Sequence, residues 1–116
     1  MTSLEEDLLK VLHEAALDGL SMAQASGSLV GGQTLLAKAL QDRLVSHIVF
    51  ATDASERTLD GLRARADSAV VFCGFPLDRD ALGRRIGKGT RAAVGIRPSR
   101  GSLHLRTQLR RLSALG

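Results

Sequence analysis

Leu4, Leu8, Val11, Leu12 and Ala15 recur at the spacing of one helical face, behind a Ser3…Glu6 capping box. The pattern predicts a first helix from about residue 4 to 17, ended by Asp18-Gly19. Weak alternation from Leu20 to Ala25 then predicts a short edge strand. Gly27, Gly31 and Gly32 punctuate the next stretch, and Leu35, Leu36, Ala39 and Leu40 give an apolar face to a helix ending near Asp42. The continuous run Ile48 to Ala51 has strand length, and Asp53 with Ser55 supplies caps for a helix packed through Leu59 and Leu62. Ala69 to Cys73 repeats the pattern. Gly74 and Pro76 break that run, and Asp78 caps a helix using Ala81, Leu82 and Ile86. Ala92 to Ile96 is a further strand, reached through the loop Gly87-Lys88-Gly89-Thr90-Arg91. Beyond Pro98, Leu105, Leu109 and Leu112 form the stripe of a closing helix whose opposite side carries Arg106 and Arg110.

Three continuous apolar strands call for a sheet covered on both faces. The alternation of helices and strands therefore predicts an α/β fold, a three-layer α-β-α sandwich with a small mixed four-stranded sheet. No repeat, linker or low-complexity tract interrupts the chain, so one domain over residues 1–116 is expected, at a length where one core is the rule. Three Phe, no Tyr and no Trp leave aliphatic side chains and Ala to fill that core.

Charge changes the picture more than composition does. Residues 1–60 hold 9 acids and 4 Lys or Arg, a balance of −5, whereas residues 61–116 hold 3 acids and 12 bases, a balance of +9. Eleven of those 12 cations are Arg, which grips phosphate with two donors and stacks on bases, so a polyanionic partner fits; solubility is the plainer use of the same charge. A single Cys cannot form an internal disulfide, and the opening Met1-Thr2-Ser3 followed by acids resembles neither a secretion signal nor a transit peptide. No run approaches the roughly 20 apolar residues that span a bilayer, so no membrane role and a cytoplasmic location are expected.

Enzymatic chemistry finds little support. Gly83-Arg84-Arg85-Ile86-Gly87-Lys88-Gly89 is superficially like a phosphate-binding loop, but three residues instead of four separate its glycines, Gly89 replaces the magnesium-binding hydroxyl, and a strand follows it. Gly27 to Gly32 lacks the spacing of a dinucleotide site. His13, His47, His104 and Cys73 show no ligand spacing, and no nucleophile, base and orienting group emerge together. The expectation is a binding protein with no metal, no cofactor and no catalytic residue.

Gly32-Gln33-Thr34-Leu35-Leu36-Ala37-Lys38-Ala39-Leu40, with Ser46-His47-Ile48-Val49-Phe50-Ala51-Thr52-Asp53-Ala54-Ser55 downstream, resembles the ribosomal protein seven-Ae and thirty-e superfamily, which includes many kink-turn RNA-binding proteins. Leu82-Gly83-Arg84-Arg85-Ile86-Gly87 looks like the family's loop before its final strand. The chain is also similar to the domain of this type that follows a YlxR-type nucleic-acid-binding domain in some bacterial proteins. The resemblance implies structured or ribosomal RNA held between the glycine-led helix start and that loop, with Lys38 on the RNA backbone. Thr34 and Leu35 depart from the Asn and the acidic or amide residue usual there. Leu35 cannot hydrogen-bond a guanine, which argues against strict kink-turn specificity.

The residues point to the same place by themselves. A helix beginning at Gly31, Gly32, Gln33 and Thr34 presents free N–H groups and partial positive charge to a phosphate, although an ordinary cap would look alike. Arg84, Arg85, Lys88 and Arg91, set around Ile86, Gly87, Gly89 and Thr90, form a mobile basic segment, each neutralised phosphate adding roughly 0.7 to 0.9 to the salt slope; a solvated turn is the plainer reading. Arg106, Arg110 and Arg111 read slightly better as a solvated face than as a second RNA contact or a contact to an acidic partner. RNA binding by a monomer is the expectation. The alternative is a protein-protein interaction module on the same fold, motivated by Thr34 and Leu35.

Overall fold

Gly19 does not stop the first helix. In this computed structural model, which describes residues 3–115 and the side chains of 4 and 6–112, α1 runs unbroken over Ser3–Ala25. Leu12, Ala16, Leu20 and Ala23 form its buried stripe at helical period, so the expected strand over Leu20 to Ala25 is the last part of α1. Gly19 serves close packing. A Cβ there would stand 2.8 Å from the Cα of Leu105 on the closing helix α5 (Leu103–Leu115), which lies against α1. The expected capping box rests on the side chain of Ser3, outside the described side chains.

The true end of α1 is at Gly27, whose φ of 73° places it in the left-handed region. There the Gly27 N–H donates to the Gln24 carbonyl (3.1 Å) and the Ser28 N–H to that of Ala23 (2.9 Å), which satisfies two carbonyls the helix would leave free. The first strand β1 follows as Leu29–Gly31, and α2 is Gln33–Gln41. Then come β2 (His47–Phe50), α3 (Glu56–Arg65), β3 (Val71–Gly74), α4 (Arg79–Arg85) and β4 (Ala93–Ile96). Ser55 caps α3 by accepting from the Thr58 N–H (3.1 Å), and Asp78 caps α4 by accepting from that of Ala81 (2.8 Å), as their side-chain oxygens suggest.

The sheet order is β1-β4-β2-β3, with β4 antiparallel to both neighbours and β2 parallel to β3. Alternate strand residues enter two separate cores. Val49, Ala51, Cys73, Val94 and Ile96 pack on one face with Leu20, Leu82, Leu105 and Leu109 from α1, α4 and α5. Val30, Ile48 and Ala93 pack on the other with Leu36, Leu40 and Leu62 from α2 and α3. Two buried faces explain the unbroken apolar runs and complete the three-layer sandwich. Edge strand β3 starts two residues later than expected. The Asp67 carboxylate accepts from the Ala69 N–H (2.8 Å) and the Asp67 carbonyl from the Val70 N–H (3.2 Å), holding those residues in a turn. Among the described residues no helix is long and apolar enough to cross a membrane.

Candidate nucleic-acid interface

The turn from β1 into α2 is built on glycine. Gly32 caps α2 with φ 89° and ψ 134°, a conformation that L side chains rarely adopt, and no side chain caps the helix. The first intrahelical bond runs from the Leu36 N–H to the Gly32 carbonyl (2.9 Å). The N–H groups of Gln33, Thr34 and Leu35 therefore have no helical carbonyl to reach, and no acid occupies the first turn. The tip keeps its partial positive charge.

The basic loop is tied down by hydrogen bonds. Gly87 (φ 69°) ends α4, its N–H donating to the Arg84 carbonyl (3.1 Å) while that of Lys88 donates to Gly83 (2.8 Å). The Gly89 carbonyl then crosses α4 so closely that a Cβ on Gly83 would overlap it. Thr90 Oγ1 donates to Asp80 (2.8 Å), and the Arg91 N–H to the Arg79 carbonyl (3.0 Å). Gly83 and Gly87 thus have geometric reasons to be glycine.

Arg91 joins the two segments. Its Nη1 donates to the carbonyls of Thr90 (2.9 Å) and Gly89 (3.3 Å), and its Nε stands 3.0 Å from where a Cβ on Gly31 would be. That Nε is buried without a hydrogen-bond partner. On one side of Arg91 lies a groove of about 420 Å³ lined by Gly31, Leu35, Lys38, Ile86 and Lys88, with Arg97 beyond the end of β4. Its acid is Asp42, against four cations. On the other side a groove of about 390 Å³ takes in Gly32, Gln33, Thr90, Arg91 and Arg79.

Arg79 is held in place by Asp53. The Arg79 N–H and Nε donate to the Asp53 carboxylate at 2.8 and 3.1 Å, and its Nη2 to the Asp53 carbonyl at 3.0 Å. Desolvation pushes the Asp53 carboxyl up, but the backbone and side-chain hydrogen bonds from Arg79 and its charge outweigh that and hold the group below its ordinary value. Asp53, expected to help cap α3, instead ties the end of β2 to the start of α4.

Gly31, Gly32, Gln33, Lys38, Ile86, Lys88, Thr90 and Arg91 are brought together around the α2 tip, with Ile86 buried as groove floor. Arg84 and Arg85 are not. They line a separate groove with Leu17, Ser21 and Leu77 against α1, where Arg85 pairs with Asp18 at 3.8 Å. Thr34 turns toward α3, into a groove with Arg57 and Arg65. Arg79 and Arg97 escaped the sequence reading; each lies just outside a motif, after the Asp78 cap and after the last apolar strand. His47 faces elsewhere, its Nδ1 2.8 Å from Ser46 Oγ, and burial first, then the charges of Arg106 and Arg110, lower its pKa. Among the described residues no group of three His, Cys, Asp or Glu could hold a metal ion.

No family model matches the chain, and no curated protein matches it. Solved structures do. A protein of unknown function from Bacillus halodurans is similar at a TM-score of 0.67 and 27 % identity, over 86 % of this chain and 94 % of that one. The 15.5kD RNA binding protein of Giardia lamblia is similar at a TM-score of 0.71 and 14 % identity, over 90 % of each chain. At that identity the likeness is one of fold, and the fold of this chain is thus one that an RNA-binding protein also uses.

Proposed function

We propose that this chain is an RNA-binding protein of the ribosomal seven-Ae/thirty-e type that holds structured RNA without catalysing a reaction on it. The observation that carries the reading is the meeting of Arg91 with Gly31. It puts the uncapped α2 tip and the basic loop on one surface, where Lys38, Lys88, Arg91 and Arg97 have no acidic ion-pair partner among the described residues. A phosphate seated on the tip meets free N–H groups first and guanidinium second. The shared fold with an RNA-binding protein supports the same reading. Recognition runs through the backbone. Leu35 offers no hydrogen bond to a base edge, so kink-turn sequence specificity is not expected.

The test is a gel-shift titration with an RNA hairpin carrying an internal loop, from low to moderate salt. Four neutralised phosphates give a slope of log K against log salt of about −3 to −4. Lys88→Glu with Arg91→Glu should abolish most of the binding. No binding at low salt to structured or unstructured RNA sinks the proposal.

A second reading, a protein-interaction module, rests on Leu35 and Leu44, 65 % and 48 % exposed in the same groove. Binding of a protein partner that survives the charge reversals but is lost in Leu35→Asp would favour it.

A further inference from the structure

The groove between α2 and α3 is the largest of those described, at about 670 Å³, and the grip on RNA set out above leaves it unused. It joins the groove on the Arg79 side of the tip, because Gln33, Thr58 and Leu62 line both. No acid lines it. Its cations are Arg57 and Arg65, eight residues apart on α3 and so about 12 Å apart along the axis. Arg65 Nη1 donates to the Gly61 carbonyl (3.2 Å), which holds that guanidinium along the helix. Asp60 pairs with Arg63 at 3.6 Å, outside the groove lining. Thr34, Thr58 and the Gln33 amide add neutral donors to its lining.

We infer that this groove takes a single-stranded RNA segment that leaves the α2 tip, with its phosphates on Arg57 and Arg65. The inference rests on the RNA-binding reading above and extends it to a second track. Both arginines lie on one helix, and the Arg65 guanidinium is turned back toward Gly61, so one short extended strand can set neighbouring phosphates on the two. None of the three Phe lines the groove and the chain has no Tyr or Trp, so bases find no aromatic platform and the grip falls on the phosphates. The track is therefore indifferent to sequence.

The experiment compares one hairpin RNA with the same hairpin carrying a single-stranded tail of about six uridines or six adenines at either end, a length within one binding site. For the wild-type chain, a tail at one end should tighten binding and steepen the salt slope by about 1.4, two phosphates at about 0.7 each. Both tail sequences should act alike. Arg57→Gln with Arg65→Gln should bind the untailed hairpin as the wild type does and lose the tail increment; an unchanged thermal melt shows that the variant is folded. Equal affinity with and without tails overturns the inference while leaving the hairpin reading intact, and leaves the groove to an acidic protein segment. So does a tail increment that survives the double substitution. If the hairpin itself fails to bind, both fall together.

Discussion

Arg91 Nε stands 3.0 Å from the position of a Cβ on Gly31, so the side chain of one residue fills the space that the other leaves empty. Gly31 has no positive φ and would accept Ala without backbone strain. The atom in the way belongs to a flexible side chain, so Gly31→Ala should move Arg91 instead of unfolding the sheet, at less than about 1 kcal/mol in stability. RNA affinity should fall in Gly31→Ala and in Arg91→Met, and the double variant should be no weaker than Arg91→Met alone. A double-mutant cycle on binding measures this coupling. Additive losses would show that Gly31 acts independently of Arg91.

Two helical glycines should respond to the same substitution with opposite signs. Alanine normally improves a helix interior over glycine by about 1 kcal/mol. At Gly61 the Cβ meets only Arg65 Nη1 at 4.0 Å, so Gly61→Ala should gain about 0.5 to 1 kcal/mol. At Gly19 the Cβ would meet Leu105 Cα at 2.8 Å and its N at 3.0 Å, and backbone cannot step aside. Overpacking there should cost about 1 to 3 kcal/mol, and Gly19→Ala should lower Tm by at least about 4 °C. Thermal melts of the two variants decide it; a stabilised Gly19→Ala would mean that α1 and α5 are not packed this closely.

Arg43 takes the position after α2 that glycine takes after α1 and α4. Its φ is 57°, its N–H donates to the Leu40 carbonyl (3.1 Å) and that of Leu44 to Ala39 (2.9 Å). A non-glycine residue in this conformation carries a cost of roughly 1 kcal/mol. Arg43→Gly should therefore raise stability by about 0.5 to 1 kcal/mol, read as a higher urea midpoint with unchanged m-value. Gly27→Ala, at φ 73° with open space around it, should lose about as much.

These glycines show where a sequence alone stops being legible. Period and strand length reveal the layers, the strands β2 and β4 and both caps at Ser55 and Asp78, because burial on one or two faces writes itself into local patterning. Gly19 read as a helix stop because local propensity says so, whereas the cause of its presence, Leu105, lies 86 positions away. The same limit governs the site. The α2 tip and the loop were readable as separate segments, and Arg91 looked no different from Arg84 and Arg85. Only α4's orientation turns the latter two toward α1 and leaves Arg91 against Gly31. Arg79 depended on Asp53, a partner 26 residues away that looked like a cap.

His47 makes stability depend on pH. Burial, then the positive charges of Arg106 and Arg110, hold its imidazole below the ordinary 6.5. Below pH 6.5 the unfolded chain takes up this proton before the folded chain does, so acidification favours unfolding. The contribution is fully present above 6.5 and is lost as pH falls toward the lowered native value. In His47→Asn, which keeps a polar side chain beside Ser46 but cannot titrate, the drop in urea midpoint between pH 7.5 and 5 should be smaller than in the wild type. Arg110→Gln removes one repelling charge and should shrink the drop only in part, since burial is the larger cause. Identical pH profiles for the wild type and His47→Asn would mean that His47 titrates alike in the folded and unfolded chain, which a half-buried imidazole facing two guanidinium groups should not do.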